Sequence, residues 1–417
     1  MEIVKTGSLQ EIKKAMGNTI QRSTALFDAV KWDRIDVVEM LLDDGISANE
    51  RNSNGSTALY YTKSQEVAKL LLDRGANVSV TNNDGYTPLH YVRSPKVVKF
   101  LLDHGADVYA VGRHGDTVLH HADYEYLEDD IYGIMRIDNR IIDNTVETYA
   151  VDNVKSIIER CAHEAEVRGE SAVDAVRAYV NTKTKYGNTP LLTVRNPVIL
   201  KIFLENGADV NAVGVYDRTV LLGRCAHDIN IVKVLLDHNA DETTTDDCGR
   251  TVLHNIDDPD IIKMILEYHA RKSEDKGIPA KEALRKYVNA VDDCGCTPLH
   301  FVEDHRTAKL FIDHGADVNI CNNEGCTPLH ENSILEILDL LLDNGADVNH
   351  TDNVGSTPLH KAFTPELVKY LVDHGANVNA VDKDGHTPLH CTKDPDIVDM
   401  LIRCGADNAD GHKIPVH

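Results

Sequence analysis

The sequence predicts an all-α repeat solenoid, a stack of helix-turn-helix units joined by β-hairpin-like loops, with about 11–12 repeats and two helical insertions. Three observations predict it. The tetrapeptide Thr-Pro-Leu-His starts at Thr87 and again at Thr297, Thr327, Thr357 and Thr387, the last four 30 residues apart, and looser copies start at Thr24, Thr57, Thr117, Thr189, Thr219 and Thr251. One leucine keeps its place in the copies: Leu59, Leu89, Leu119, Leu191, Leu221, Leu253, Leu299, Leu329, Leu359 and Leu389. Turn signals such as Asp84-Gly85 precede the motif, and a glycine such as Gly105 closes most units. A single helix pair cannot bury such a leucine stripe, but stacked neighbours can.

Each element of a unit can be justified in order from Asn83 to Ala106. Asp84-Gly85 makes a tight turn, with Gly supplying a positive φ. Thr87 is placed to cap a helix, and Pro88 fills its first position, where no amide donor is needed. Leu89 begins that short helix. Ser94-Pro95 repeats the start signal for a second helix, in which Val98, Leu101 and Leu102 form one apolar stripe. Gly105 then supplies a left-handed cap, a role taken in another copy by Asn239.

These residues resemble the ankyrin-repeat family. The likeness rests on Asp-Gly-x-Thr-Pro-Leu-His, on the run Val97-Val98-Lys99-Phe100-Leu101-Leu102, and on Gly-Ala-Asp-Val-Asn at Gly207 to Asn211 and Gly345 to Asn349. Ankyrin units usually run to about 33 residues, so most units here are three short. The loss falls between the two helices, where Ser94-Pro95, Asn196-Pro197, Asp258-Pro259, Thr364-Pro365 and Asp394-Pro395 each read as cap plus first helical residue. The first helix is therefore expected to be about one turn shorter than usual. Only the copy at Thr24 keeps 33 residues to the next, at Thr57.

The whole chain, 1–417, is expected to form one solenoid. Residues 1–23 read as a capping half-repeat with Leu9, Ile12 and Met16 on one apolar face and Lys13 and Lys14 turned away; repeats fill 24–120, 187–268 and 290–409, and 410–417 is a tail. The period breaks at 121–186 and at 269–289. Ala162–Asn181 aligns without a gap on Ala270–Asn289 at an offset of 108, so each interruption is expected to add a short helix carrying Ala172, Val176, Tyr179 and Val180 or Ala280, Leu284, Tyr287 and Val288. Ser171 with Asp174 reads as a capping box, Pro279 as a helix start, and 164–170 and 271–276 as exposed links. The first interruption has further residues within His121–Asp152, acidic and containing Tyr124, Tyr126, Tyr132 and Tyr149: a longer first helix with a solvated loop packed on the stack, or a partner-binding lobe.

A formal charge of −24 and a pI near 5.2 argue against general binding of nucleic acid or anionic membrane. No apolar run is long enough to cross a bilayer, and the start lacks a secretory signal, so a cytoplasmic protein, or one delivered into a host cell, is expected. His90, His120, His254, His300, His330, His360 and His390 lie one layer apart, about 8–10 Å, too far to share a metal. The resemblance makes this histidine a structural hydrogen-bonding residue. His104, His314 and His374 precede the capping Gly and suit a helix C-terminus. Cys294, Cys296, Cys321 and Cys326 lack zinc-site spacing and are expected as free thiols. No cofactor, metal site or catalytic residue is assigned.

Function is then expected from variable positions on a constant scaffold. The resemblance implies that hairpin tips and the inner face of the first helices contact partners. The residue before each motif Thr varies: Ser56, Tyr86, Asp116, Asn188, Arg218, Arg250, Cys296, Cys326, Ser356 and His386. The candidate partner-binding residues are Tyr86, Asp116, Asn188, Arg218, Arg250, Ser356 and His386, with Tyr124, Tyr126 and Tyr132 from the interruption. Arg218 and Arg250 suggest an acidic patch on the partner. The expected function is a monomeric, non-enzymatic scaffold that binds another protein, such as a host-directed effector. The alternative is an enzyme or toxin with its site in 121–186.

Overall fold

The computed structural model describes residues 2–15, 19–122 and 144–407. They fall into two compact units, Met1–Val215 and Tyr216–His417. The architecture is the all-α repeat solenoid, and among the described residues the only β pairing is the isolated bridge Val111–Thr117.

A unit of the repeat starts with a hairpin-like turn, passes through an inner helix of a single turn, and ends in an outer helix of nine residues. In the first unit the inner turns include Ala58–Tyr61, Pro88–His90 and Pro190–Thr193, and the outer helices Gln65–Asp73, Pro95–Asp103 and Pro197–Glu205. In the second unit Pro298–His300, Pro328–Glu331, Pro358–Lys361 and Pro388–Cys391 alternate with His305–Asp313, Leu335–Asp343, Pro365–Asp373 and Pro395–Arg403. The expected shortening is thus seen as an inner helix of three or four residues. Where the sequence keeps the longer spacing, the helix is longer, Thr19–Lys31. The outer helices start as their caps dictate: Asn196, Asp258, Thr364 and Asp394 each accept from a first-turn amide. They end at Gly75 or Gly105 with φ near 85°, or at Asn239 with φ 63°. Every member of the leucine column is at most 2% exposed.

The motif histidine explains why so short an inner turn holds. His300 Nδ1 receives the Thr297 amide at 3.0 Å. An amide can only donate, so the proton of the imidazole is on Nε2, which donates to the Cys326 carbonyl of the next repeat at 3.1 Å. The same pair of contacts links His254 to Cys296 and His330 to Ser356. One side chain therefore caps its own helix and ties it to its neighbour. Where the sequence has Leu192 or Leu222 in that place, Thr189 Oγ1 and Thr219 Oγ1 are buried without a hydrogen-bond partner.

Three local expectations change. Thr24 lies inside the helix Thr19–Lys31 rather than at its start. The N-terminal segment is two short helices, Glu2–Thr6 and Leu9–Ala15, split at Gly7-Ser8, where Ser8 and Glu11 cap each other and Arg34 donates to the carbonyls of Val4, Lys5 and Gly7. Ile12 is buried but Leu9 is 37% exposed, and Met16 lies outside the described residues.

The insertions differ in a third way. Most of 164–170 and 271–276 is not a link but the end of a long outer helix, Asn144–Val167 or Pro259–Asp275. Cys161 and Ala165, and Ser273 in the second copy, are buried on its inner side, which the mixed charges of these stretches concealed. The short helices follow as Ala172–Val180 and Ala280–Val288. Ser171 caps the first by accepting from Asp174 N, and Pro279 is the cap residue of the second.

Candidate partner-binding surface

The hairpin backbone is fixed from below. The first residue of most turns turns its side chain inward and accepts the amides two and four residues on. Asn82 Oδ1 receives Asp84 N and Tyr86 N, both at 3.0 Å. Asp246, Asp292, Asn322, Asp352 and Asp382 do the same in the second unit. Neighbouring turns are also joined tip to tip: Asn323 N donates to Cys294 O and Asn353 N to Glu324 O, both at 2.8 Å. This Asx position was not singled out in the sequence, although the recurrent Asn or Asp three residues before the turn Gly is its signal.

The column of candidate residues before the motif Thr sits against that Asx position of the following turn. Arg218 reaches Asp246 Oδ2 at 3.5 Å, and Arg250 reaches Asp292 Oδ2 at 3.3 Å; both carboxylate side chains are 1% exposed. Arg250 also lies over the Phe301 ring at 4.8 Å. Asn322 Nδ2 donates to Cys296 Sγ at 3.6 Å, and Cys326 Sγ to Asp352 Oδ2 at 3.8 Å. Asp352 takes its compensating cation from Lys361, 3.5 Å away. An Asn at this position needs no cation; an Asp leaves a charge on its second oxygen that burial makes costly unless paired. The two arginines therefore neutralise the chain's own carboxylates.

The first unit shows the same complementarity by size. The Tyr86 ring occupies the space over Gly112, where a Cβ would lie 2.2 Å from it. Asn188 covers Gly214 and accepts from Val215 N at 3.2 Å. Tyr86 is half-buried among His90, Tyr91 and His121. Asp116 is buried and accepts from His121 Nε2 at 2.8 Å. Burial opposes its charge, but the hydrogen bonds from His121 and Tyr86 hold its carboxyl well below the usual range. Burial, and then Asp116, push the Tyr86 phenol up.

Of the residues before the motif Thr, the candidate His386 is exposed and 3.5 Å from Asp382, the candidate Ser356 is half-buried and the candidate Asp116 is buried, as are Ser56, Cys296 and Cys326. Tyr124, Tyr126 and Tyr132 lie outside the described residues, and Tyr149 is exposed. Other large side chains of the turns are more exposed. Tyr186 is 58% exposed and Val111 50% in the first unit; Tyr216 is 66%, Val291 52%, Val354 59% and Val381 60% in the second.

Other chemistry is accounted for locally. His104, His238, His314 and His374 donate from Nδ1 to the carbonyl four residues back, at 2.7–2.8 Å, capping outer helices. Ligand atoms of Asp246, Asp247 and Cys248 lie within 4.8 Å of one another, but Arg218 already supplies positive charge to Asp246. In the second insertion the buried Glu242 carboxylate accepts from His269 Nδ1 at 2.7 Å and Lys272 Nζ at 2.8 Å, while its carbonyl accepts from Tyr287 at 2.6 Å. The first insertion keeps the tyrosine contact, Tyr179 to Val108 O at 2.6 Å, with a valine where the second has Glu242.

A stack of pinned turns and short helices, with its variation on the turns, is the form of a helical-repeat module that presents a surface. The family model for ankyrin repeats in three copies matches residues 46–111, 62–129, 255–352 and 331–411, and that for a single ankyrin repeat matches 21–53. These spans cover more than half of the chain, which belongs to the ankyrin-repeat family. It is also similar to an ankyrin repeat protein of Acanthamoeba polyphaga mimivirus, 29% identical over 129 residues, 28% of this chain and 80% of that protein. Ankyrin repeats are protein–protein interaction modules, and no described helix is long and apolar enough to cross a membrane.

Proposed function

We propose that the chain is an interaction scaffold that holds one partner protein against its hairpin tips and the inner turns beside them. The observation that carries this reading is the contrast between the two halves of each turn. The backbone and the column beneath it are committed to internal bonds, while Tyr216, Val291, Val354 and Val381 are more than half exposed on that fixed base, as is Tyr186, whose ring is backed by His114 and Lys185. Preorganised backbone lowers the entropy lost on binding, and tyrosine supplies contact area at small rotamer cost. Apolar and aromatic tips in a chain of charge −24 favour a partner surface with an apolar centre rather than a purely basic one. The pairing of Arg218 and Arg250 inside the turns takes support away from an acidic partner patch at those positions. The likeness to a viral protein supports a role inside a host cell; in this reading the chain acts there as a monomer on a host protein.

The test is photo-crosslinking from a reactive side chain placed at 186, 354 or, as control, at the outer-helix position 369. A single protein captured from the tips and not from 369, with capture from 354 lost on combining Tyr216→Ser with Val291→Ser while the circular dichroism is unchanged, is the expected result. Equal capture from the outer helix, or capture unaffected by the tip changes, overturns it.

A further inference from the structure

Cys321 and His350 face each other across two successive repeats of the second unit. Cys321 Sγ lies 3.2 Å from His350 Nε2 and 3.6 Å from the Asn319 carbonyl. The thiol is exposed and the imidazole half-buried. Both are held on a rigid backbone: Asn319 Nδ2 donates to Gly345 O at 2.9 Å and its Oδ1 accepts from Asp347 N at 3.1 Å, while His350 N donates to Asp347 O at 3.1 Å. The other ring facing His350 is His330, centroids 5.9 Å apart. Among the described residues no other thiol has an imidazole nitrogen within hydrogen-bond reach. Cys161, Cys296 and Cys326 are buried, and neighbouring carboxylates, Asp247 first, push the exposed Cys248 thiol up.

We propose that Cys321 is a thiol-modification site that reacts with small neutral disulfides, with His350 as its base. The proton passes from Sγ to His350 Nε2 as Sγ attacks one sulfur of R–S–S–R. The S–S bond breaks, a Cys321–S–S–R bond forms, and the leaving thiolate takes the proton back from the imidazolium. One thiol and one disulfide are consumed and one of each is formed, so no further oxidant enters. The site lies at the edge of the turn column, so the added group changes the surface there without opening the stack.

The experiment uses the full chain and 2,2′-dithiodipyridine, with the modified cysteine identified by peptide mass spectrometry. Cys294, an exposed thiol on a neighbouring turn, is the internal standard. At pH 7 Cys321 is expected to react roughly three- to tenfold faster than Cys294, and His350→Gln to bring it to within about twofold while Cys294 is unchanged. Because His350→Gln could also alter access to the thiol, the rates are repeated at pH 9.5. There a base gives no advantage, and parent and variant are expected to agree. Cys321 reacting no faster than Cys294 at pH 7, or His350→Gln slowing Cys321 equally at both pH values, overturns the proposal.

Discussion

Acid should loosen this protein well before its carboxylates titrate, because burial keeps the motif histidines His90, His120, His254, His300 and His330 neutral in the fold. His90 and His120 are 3% and 7% exposed. Burial lowers His90 from 6.5 to about 3 and His120 to about 4. A group whose folded value lies below its unfolded value binds more protons when unfolded, so its contribution to stability is complete above about pH 6.5 and is lost as the pH falls toward the folded value. At pH 5 an unfolded histidine at 6.5 gains about 2 kcal/mol from protonation that the folded one cannot. The two together weaken the first unit by about 4 kcal/mol relative to high pH. His254, His300 and His330 are lowered in the same direction by burial and add to it in the second unit. Asp116, held far lower, contributes only at more acid pH. With a denaturant slope of about 2 kcal/mol per molar urea, the urea midpoint followed by circular dichroism should drop by about 2 M between pH 7 and pH 5. The variant with His90→Leu and His120→Leu should be less stable at pH 7, having lost its caps, yet lose distinctly less on acidification. A parent midpoint that is flat from pH 7 to pH 5, or a double variant with the parent's full slope, would refute the reasoning.

Three further outcomes follow from the turns and caps. Thr219→Val should raise stability by about 1 kcal/mol, since its buried hydroxyl has no partner, whereas Thr297→Val, whose hydroxyl lies 3.0 Å from His300 Nδ1, should lower it by about as much; equal signs in urea melts would contradict this. Arg250→Met should cost about 1–3 kcal/mol by stranding the Asp292 charge, and adding Asp292→Asn should recover most of it, because Asn322 already does the same turn-capping with no charge; a double-mutant cycle without coupling would exclude the pairing. Gly325→Ala should cost more than Gly345→Ala. Both have φ above 80°, a strain of about 1 kcal/mol for alanine, but only at Gly325 would the new Cβ meet a neighbouring turn, 2.6 Å from Asn353 N. Thermal midpoints of the two variants compare them directly.

What the sequence made legible was whatever repeats. The leucine column, the Pro starts, the Gly and Asn ends and the shortened inner helix could all be read because each recurs in phase. What stayed hidden depends on contacts between one copy and the next. The Asx position was masked by its mixed identity, Asn in some turns, Asp in others and Gly where Tyr86 or Asn188 needs the room. The arginines looked available because their carboxylate partners are 28 and 42 residues away in the chain. The charged ends of the long helices looked like links because a two-sided helix, half on the stack and half in water, carries its apolar residues too sparsely there to reveal the period.

The two insertions show what the stack cannot give up. In an ordinary repeat the asparagine of Gly-Ala-Asp-Val-Asn binds the next repeat twice: Asn349 Nδ2 to Gly375 O at 3.0 Å, and Asn377 N to Asn349 Oδ1 at 2.7 Å. After the first insertion Asn181 makes the same pair of bonds, to Gly207 O and from Asp209 N, and after the second Asn289 makes them to Gly315 O and from Asp317 N. Both added helices therefore enter upstream of this asparagine and return the chain to it in register. The Tyr-Val that precedes it closes the detour, with Tyr179 and Tyr287 each bonded to a turn carbonyl that the detour has passed over. Extra chain is tolerated where the helix can lengthen outward, and the junction between layers is kept because the next turn, with its Asx acceptor and its exposed tip, is positioned from it. Variation of the tips and growth of the outer helices are thus independent of each other, and a surface for a partner can change without any change in how the layers are joined.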